Sequence, residues 1–106
     1  MVNECIREII AKRIAGDIVW SDDHGGSLRR WREIFKVSQM EVARIMGVSA
    51  SVISDYEKGR RTPGAKFIKK YVDALLTLDG ERNWQVIKEL AKGLNIYSSA
   101  IIDVKE

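Results

Sequence analysis

Residues 38–61, SQMEVARIMGVSASVISDYEKGRR, constrain the fold of this chain more than any other stretch. Ser38 sits where a helix N-cap is expected, and Glu41, three residues on, completes a capping box. Val42, Ala43, Ile45 and Met46 follow at helical spacing and face a core. Gly47 ends that helix, because glycine tolerates the left-handed backbone a C′ position needs. Val48 plugs the turn. Ser49 caps a second helix that turns Val52, Ile53 and Tyr56 inward and Ala50, Ser51, Ser54 and Asp55 outward. Gly59 closes it, and Arg60 and Arg61 follow at once. Two short helices joined by a glycine-containing turn, the second with small polar side chains on its open face, make a unit that fits a DNA major groove.

Composition and charge placement agree with that partner. The chain has 106 residues, 45% of them hydrophobic, and one proline, which predicts a single mostly helical domain. Net charge is only +3, yet residues 27–71 hold eleven Lys/Arg against four Asp/Glu, and both flanks are net negative. The positive charge therefore lies with the two-helix unit, where phosphates need it. No apolar stretch is long enough to span a bilayer, and the N-terminus lacks a signal-peptide pattern. The lone cysteine, Cys5, excludes an internal disulfide, reads as a small buried hydrophobe, and fits a reducing cytoplasm.

The central stretch resembles the Cro/CI-like, XRE-type helix-turn-helix family. The matching residues are Ser38-Gln39-x-Glu41-Val42-Ala43, Gly47-Val48-Ser49 and Ile53-Ser54-x-Tyr56-Glu57-x-Gly59-Arg60-Arg61-x-Pro63. The resemblance covers roughly residues 27–78, and the flanks are most similar to small archaeal regulators of this class. It implies an all-α, lambda-repressor-like helix-turn-helix bundle, here with an extra N-terminal helix and a C-terminal helix plus a short tail strand. It also implies that Arg32 pairs with Glu57 as a structural tie between helices, and that Gln39 contacts phosphate.

Along the chain, Val2, Cys5, Ile6, Ile9, Ile10 and Ile14 predict an amphipathic helix over residues 2–15, packed either on the domain or on a second copy. Gly16 ends it, 18–20 form a short apolar segment, and 21–26 form a loop. His24 with Asp22 and Asp23 reads as a surface turn rather than a hydrolytic cluster. Ser27 caps the next helix, with Leu28, Trp31, Ile34 and Phe35 inward and Arg29, Arg30 and Lys36 outside. Pro63 separates the motif from a helix over 65–78 whose buried stripe is Phe67, Ile68, Tyr71, Val72, Leu75, Leu76 and Leu78. Lys69 and Lys70 lie with Lys66 in its first half. Asp79-Gly80 is a break before a last helix over 81–94, carrying Trp84, Ile87, Leu90, Ala91 and Leu94 on one face. Residues 100–104 are β-prone and need a partner strand. The division expected is 1–26 as helix and linker, 27–79 as the helix-turn-helix domain, and 80–106 as dimerising helix and tail.

These readings assign Ser49, Ala50, Ser51, Ser54 and Asp55 to base edges, and Ser38, Gln39, Lys58, Arg60, Arg61 and Lys66 to phosphates. The reading helix lacks Arg, Asn and Gln, so DNA shape is expected to contribute to specificity. The function expected is a dimeric, sequence-specific transcriptional regulator of double-stranded DNA, a repressor or autoregulator. The alternative is an antitoxin or co-activator-type module that binds protein. No nucleophile–base pair, metal cluster or phosphate loop points to catalysis, and no cofactor, metal or small-molecule ligand is expected.

Overall fold

A computed structural model describes residues 3–93, in six helices: α1 (Glu4–Trp20), α2 (His24–Ile34), α3 (Gln39–Met46), α4 (Ala50–Glu57), α5 (Ala65–Gly80) and α6 (Gln85–Gly93). Among the described residues there is no strand. Val2, Leu94 and the β-prone tail over 100–104 lie outside them.

Helix α5 is the central post. Eight of its residues are buried, and α1, α3 and α6 all pack against it. Helix α4 packs on α2 and α3. The buried set is continuous from Ile6 through Ala91, so α1 and α6 share one core with the four middle helices. Tyr56 stacks on Phe67 with ring centroids 3.7 Å apart, closing the core beneath the end of α4.

The N-terminal region departs from its sequence reading. Helix α1 does not stop at Gly16 but runs to Trp20, so residues 18–20 form its last turn. Its buried stripe is Ile6, Ile10, Ile14 and Ile18, a strict four-residue period. Burying Ile18 outweighs the modest helix cost of one glycine. Cys5 is exposed rather than buried, and Ile9 is partly exposed. The stripe packs on α2, α5 and α6 of its own chain.

The expected loop over 21–26 is also shorter than read. Asp23, not Ser27, caps α2: its carboxylate accepts the Gly26 N–H at 2.9 Å, and Ser27 is buried inside the helix. Gly25 is required there for steric reasons. A Cβ at that position would stand 2.5 Å from the Glu57 carbonyl oxygen, so α2 and the end of α4 approach closely only through glycine. Leu28 and Phe35 are buried, Trp31 is half-buried, and Ile34 is exposed.

At the other end, residues 81–84 form a turn with Asn83 and Trp84 in the left-handed region, and α6 starts only at Gln85. Asp79 is buried and accepts the N–H groups of Val86 and Ile87 at 3.1 and 2.8 Å. It caps a helix six residues further along the chain. Ile87 and Ala91 are buried on the inner face of α6, with Trp84 and Leu90 half-buried beside them.

Candidate nucleic-acid interface

The two-helix unit is built from local signals. The Ser38 hydroxyl accepts the Glu41 N–H at 3.0 Å, and the Ser38 N–H donates to Glu41 Oε1 at 2.9 Å. These bonds, with Arg82 alongside, hold the Glu41 carboxyl below the usual carboxylate range. Val42 and Ala43 are buried, and Ile45 and Met46 pack against the core. Gly47 takes φ 72°, and the Val48 N–H returns to the Ala43 carbonyl at 3.1 Å. Val48 itself is exposed and does not plug the turn. The backbone then enters α4 through an extended Ser49.

The outward end of α4 differs in detail from its sequence reading. Ser49 stands at the N-cap position but makes no capping bond; its hydroxyl pairs with that of Ser51 at 2.9 Å. The first N–H groups of α4 thus have no side-chain cap from Ser49, leaving donors for an outside acceptor. Ala50 is half-buried against the core, and Ser51 is exposed. Ser54 and Asp55 are half-buried. Ile53 is fully buried, with Val52 and Tyr56 half-buried. Asp55 Oδ1 lies 3.3 Å from Arg60 Nη1, which offsets the charge of the one acid on this face.

The end of α4 is anchored by Glu57, buried in a network drawn from three other helices. Arg32 of α2 donates to both its carboxylate oxygens, at 2.8 and 3.0 Å, and to the Val37 carbonyl at 3.0 Å. Gln39 Nε2 of α3 donates to Glu57 Oε1 at 3.0 Å. The Tyr71 hydroxyl of α5 lies 2.6 Å from Glu57 Oε2 and 3.0 Å from the Leu28 carbonyl. Burial alone would raise the Glu57 carboxyl, but bonds from Arg32, Tyr71 and Gln39 hold it below its ordinary value. The Glu57 bond keeps the Arg32 guanidinium firmly protonated, and burial beside Glu57 pushes the Tyr71 phenol far up.

Outside this network lies a polar recess of about 230 Å³ lined by Arg29, Arg32, Gln39, Ser54, Glu57 and Lys58. Arg29 and Lys58 are exposed at it. Sequence reasoning left Arg29 on a solvated face. The available signal was its spacing, one helical turn before Arg32 and so on the same side of α2. Arg60, Arg61 and Lys66 are also exposed, and the Arg61 guanidinium lies 5.7 Å from the Tyr56 ring centroid. The structure thus brings Gln39, Ser54 and Lys58 around one recess. Arg60 and Arg61 follow α4 in the next loop, and Lys66 begins α5. Ser38 is exposed just before α3, its hydroxyl committed to the capping box.

Chemically this surface presents cations, hydroxyls and backbone donors to an anion. Among the described residues, no group of His, Cys, Asp and Glu is placed to hold a metal ion, and no helix is long and apolar enough to cross a membrane. His24 begins α2, its ring nitrogen 3.3 Å from the Val19 carbonyl.

A helical bundle that presents α3, a glycine turn and α4 in this way defines a helix-turn-helix DNA-binding domain. Residues 28–77 match the family model described as Helix-turn-helix, so this part of the chain carries an XRE-type helix-turn-helix domain. Two archaeal relatives are similar over nearly the whole chain. One, from Archaeoglobus fulgidus, is 52% identical over 97 residues, covering 92% of this chain. The other, from Methanocaldococcus jannaschii, is 47% identical over 102 residues, covering 93%. Both are named as uncharacterized HTH-type transcriptional regulators. This chain spans 42% of the length of each. No solved structure matches it.

Proposed function

We propose that this chain is the DNA-binding region of a transcriptional regulator, acting in the cytoplasm as a homodimer on double-stranded DNA, as a repressor or autoregulator. The observation that carries the reading is the polar, uncapped start of α4, with Lys58, Arg60, Arg61 and Lys66 exposed around it. In this reading Ser49, Ala50, Ser51, Ser54 and Asp55 face base edges. Ser51 and Ser54 donate or accept, the Ala50 methyl meets thymine, and Asp55 accepts from cytosine. Ser38, Gln39, Lys58, Arg60, Arg61 and Lys66 position the phosphates, with the recess beside Arg29 taking one phosphate oxygen. The pairing of Asp55 with Arg60 lessens its repulsion of the backbone. Arg32 and Glu57 orient α4 from behind. The reading assigns no catalysis, cofactor or membrane contact to the chain.

The test is anisotropy of a labelled duplex across a salt series, followed by selection from a random duplex pool. Affinity should fall linearly in log–log form, by about 0.9 in slope for each phosphate neutralised. Lys66→Ala should lower that slope by about one for every sequence, whereas Ser54→Ala should change which sequences are selected. Absence of salt-dependent affinity at low ionic strength would overturn the reading and favour a module that binds protein.

A further inference from the structure

Helix α1 is apolar on two sides, and only one is covered among the described residues. Ile6, Ile10, Ile14 and Ile18 face the core. Cys5, Ile9, Gly16 and Trp20 fall within about 60° of one another at 3.6 residues per turn, centred roughly 130° around the helix from that stripe. Ile9 is 37% exposed and Trp20 88%. Trp20 edges an open groove of about 480 Å³, lined also by Lys12, Arg13, Gly16, Asp17 and Trp31. A surface helix ordinarily carries one apolar stripe with a polar opposite face, so a second apolar face calls for a cover.

Gly16 is the second observation. Glycine inside a helix is destabilising relative to alanine. Nothing among the described residues requires it, since none of their atoms lies within 4 Å of where a Cβ would stand. The open position lets another surface come close to the helix backbone here.

We propose that a second copy of this chain fills the groove, α1 packing antiparallel on α1 across a two-fold between positions 14 and 15. The charges choose the occupant and its direction. Arg13 and Asp17 lie one turn apart on the same edge of the face, and Arg13 has no carboxylate partner among the described residues. Asp17 is held in place by Trp31 Nε1 at 2.8 Å and Arg30 at 3.5 Å. The antiparallel pairing sets Arg13 beside the second copy's Asp17, and symmetry makes the bond twice. It lays Ile9 against the second copy's Trp20 and the Arg13 stem over the gap at Gly16. A parallel pairing would instead set Arg13 beside the second copy's Lys12, cation against cation. This inference names the surface for the dimer of the DNA-binding reading, but its test needs no DNA.

The test is sedimentation equilibrium of the full chain across a concentration series. A reversible monomer–dimer equilibrium is expected. Gly16→Leu should weaken it about tenfold, as should Trp20→Ala. Leucine is the better helix former and has open space there, so circular dichroism should show helix content and thermal midpoint kept or raised. Arg13→Asp and Asp17→Arg should each weaken the dimer about fivefold, and the double reversal should restore it. A chain that stays monomeric at every concentration overturns the proposal, leaving residues 94–106 or another protein as the occupant. A dimer indifferent to Gly16→Leu and Trp20→Ala overturns it as well. Salt-dependent binding of the Gly16→Leu variant to a single half-site is read separately, so failure of the interface and failure of DNA binding are distinguishable.

Discussion

Two carboxylates are buried among the described residues, Glu57 and Asp79, and each stands at the end of a helix. They are satisfied by different means. Glu57 receives side-chain donors from α2, α3 and α5: a bidentate guanidinium, an amide and a phenol. Asp79 receives two backbone N–H groups at the start of α6, where the helix dipole also favours negative charge. A buried carboxylate needs donors of any kind, but their origin decides what it organises. Glu57 ties four helices together behind the proposed reading surface. Asp79 docks one.

The largest effect expected from this contrast is at Glu57. Glu57→Ala leaves the Arg32 guanidinium with no countercharge in a mostly buried site, at a cost of roughly 3–5 kcal/mol in urea unfolding. Asp79→Ala leaves two amides unsatisfied and should cost less, about 1–3 kcal/mol, with hydrogen exchange rising first in α6. Equal losses at the two sites would break the comparison. The pH dependence sharpens it. Because the folded Glu57 carboxyl is held below its unfolded value of about 4.3, its contribution is present above that pH and is lost as pH falls through the folded value. Urea midpoints measured from neutral pH into acid should fall, and Glu57→Gln should flatten that fall although Glu41 still titrates. The smallest effect belongs to Arg82, whose exposed guanidinium meets Glu41 at 2.6 Å and the Lys36 carbonyl at 2.9 Å. Arg82→Ala should cost at most about 1 kcal/mol in the same assay.

The same contrast explains what was legible in the sequence. The capping box of Ser38 and Glu41 and the left-handed Gly47 are local signals, written within a few residues of the structure they produce. They delimit α3 and the start of α4 without knowledge of the rest. Asp79 carries no such signal, because the N–H groups it accepts belong to a helix that begins only after a four-residue turn. Without that partner, Asp79-Gly80 reads as a simple break. Gly16 and Gly25-Gly26 mislead in the same way: Gly25 lets α2 approach the Glu57 carbonyl, Gly26 leaves room for the Asp23 cap and Gly16 is carried inside α1, yet local propensity takes each for an end or a loop. For α1 the correction was available in Ile18, which continues the four-residue period of Ile6, Ile10 and Ile14 beyond the glycine. Ser49 shows the limit of local inference at the surface. Its position before α4 is right for a cap, but the neighbouring Ser51 hydroxyl competes for it.

Gln39 carries the Glu57 network outward to the start of α3. Its amide nitrogen bears two hydrogens. One is held by Glu57, so the side chain is fixed in the absence of any ligand while the second hydrogen stays available. If Gln39 positions a phosphate as proposed, that phosphate meets a donor whose rotamers have already been selected by folding. The entropy of ordering that side chain is spent once, in the core, rather than at each encounter with DNA.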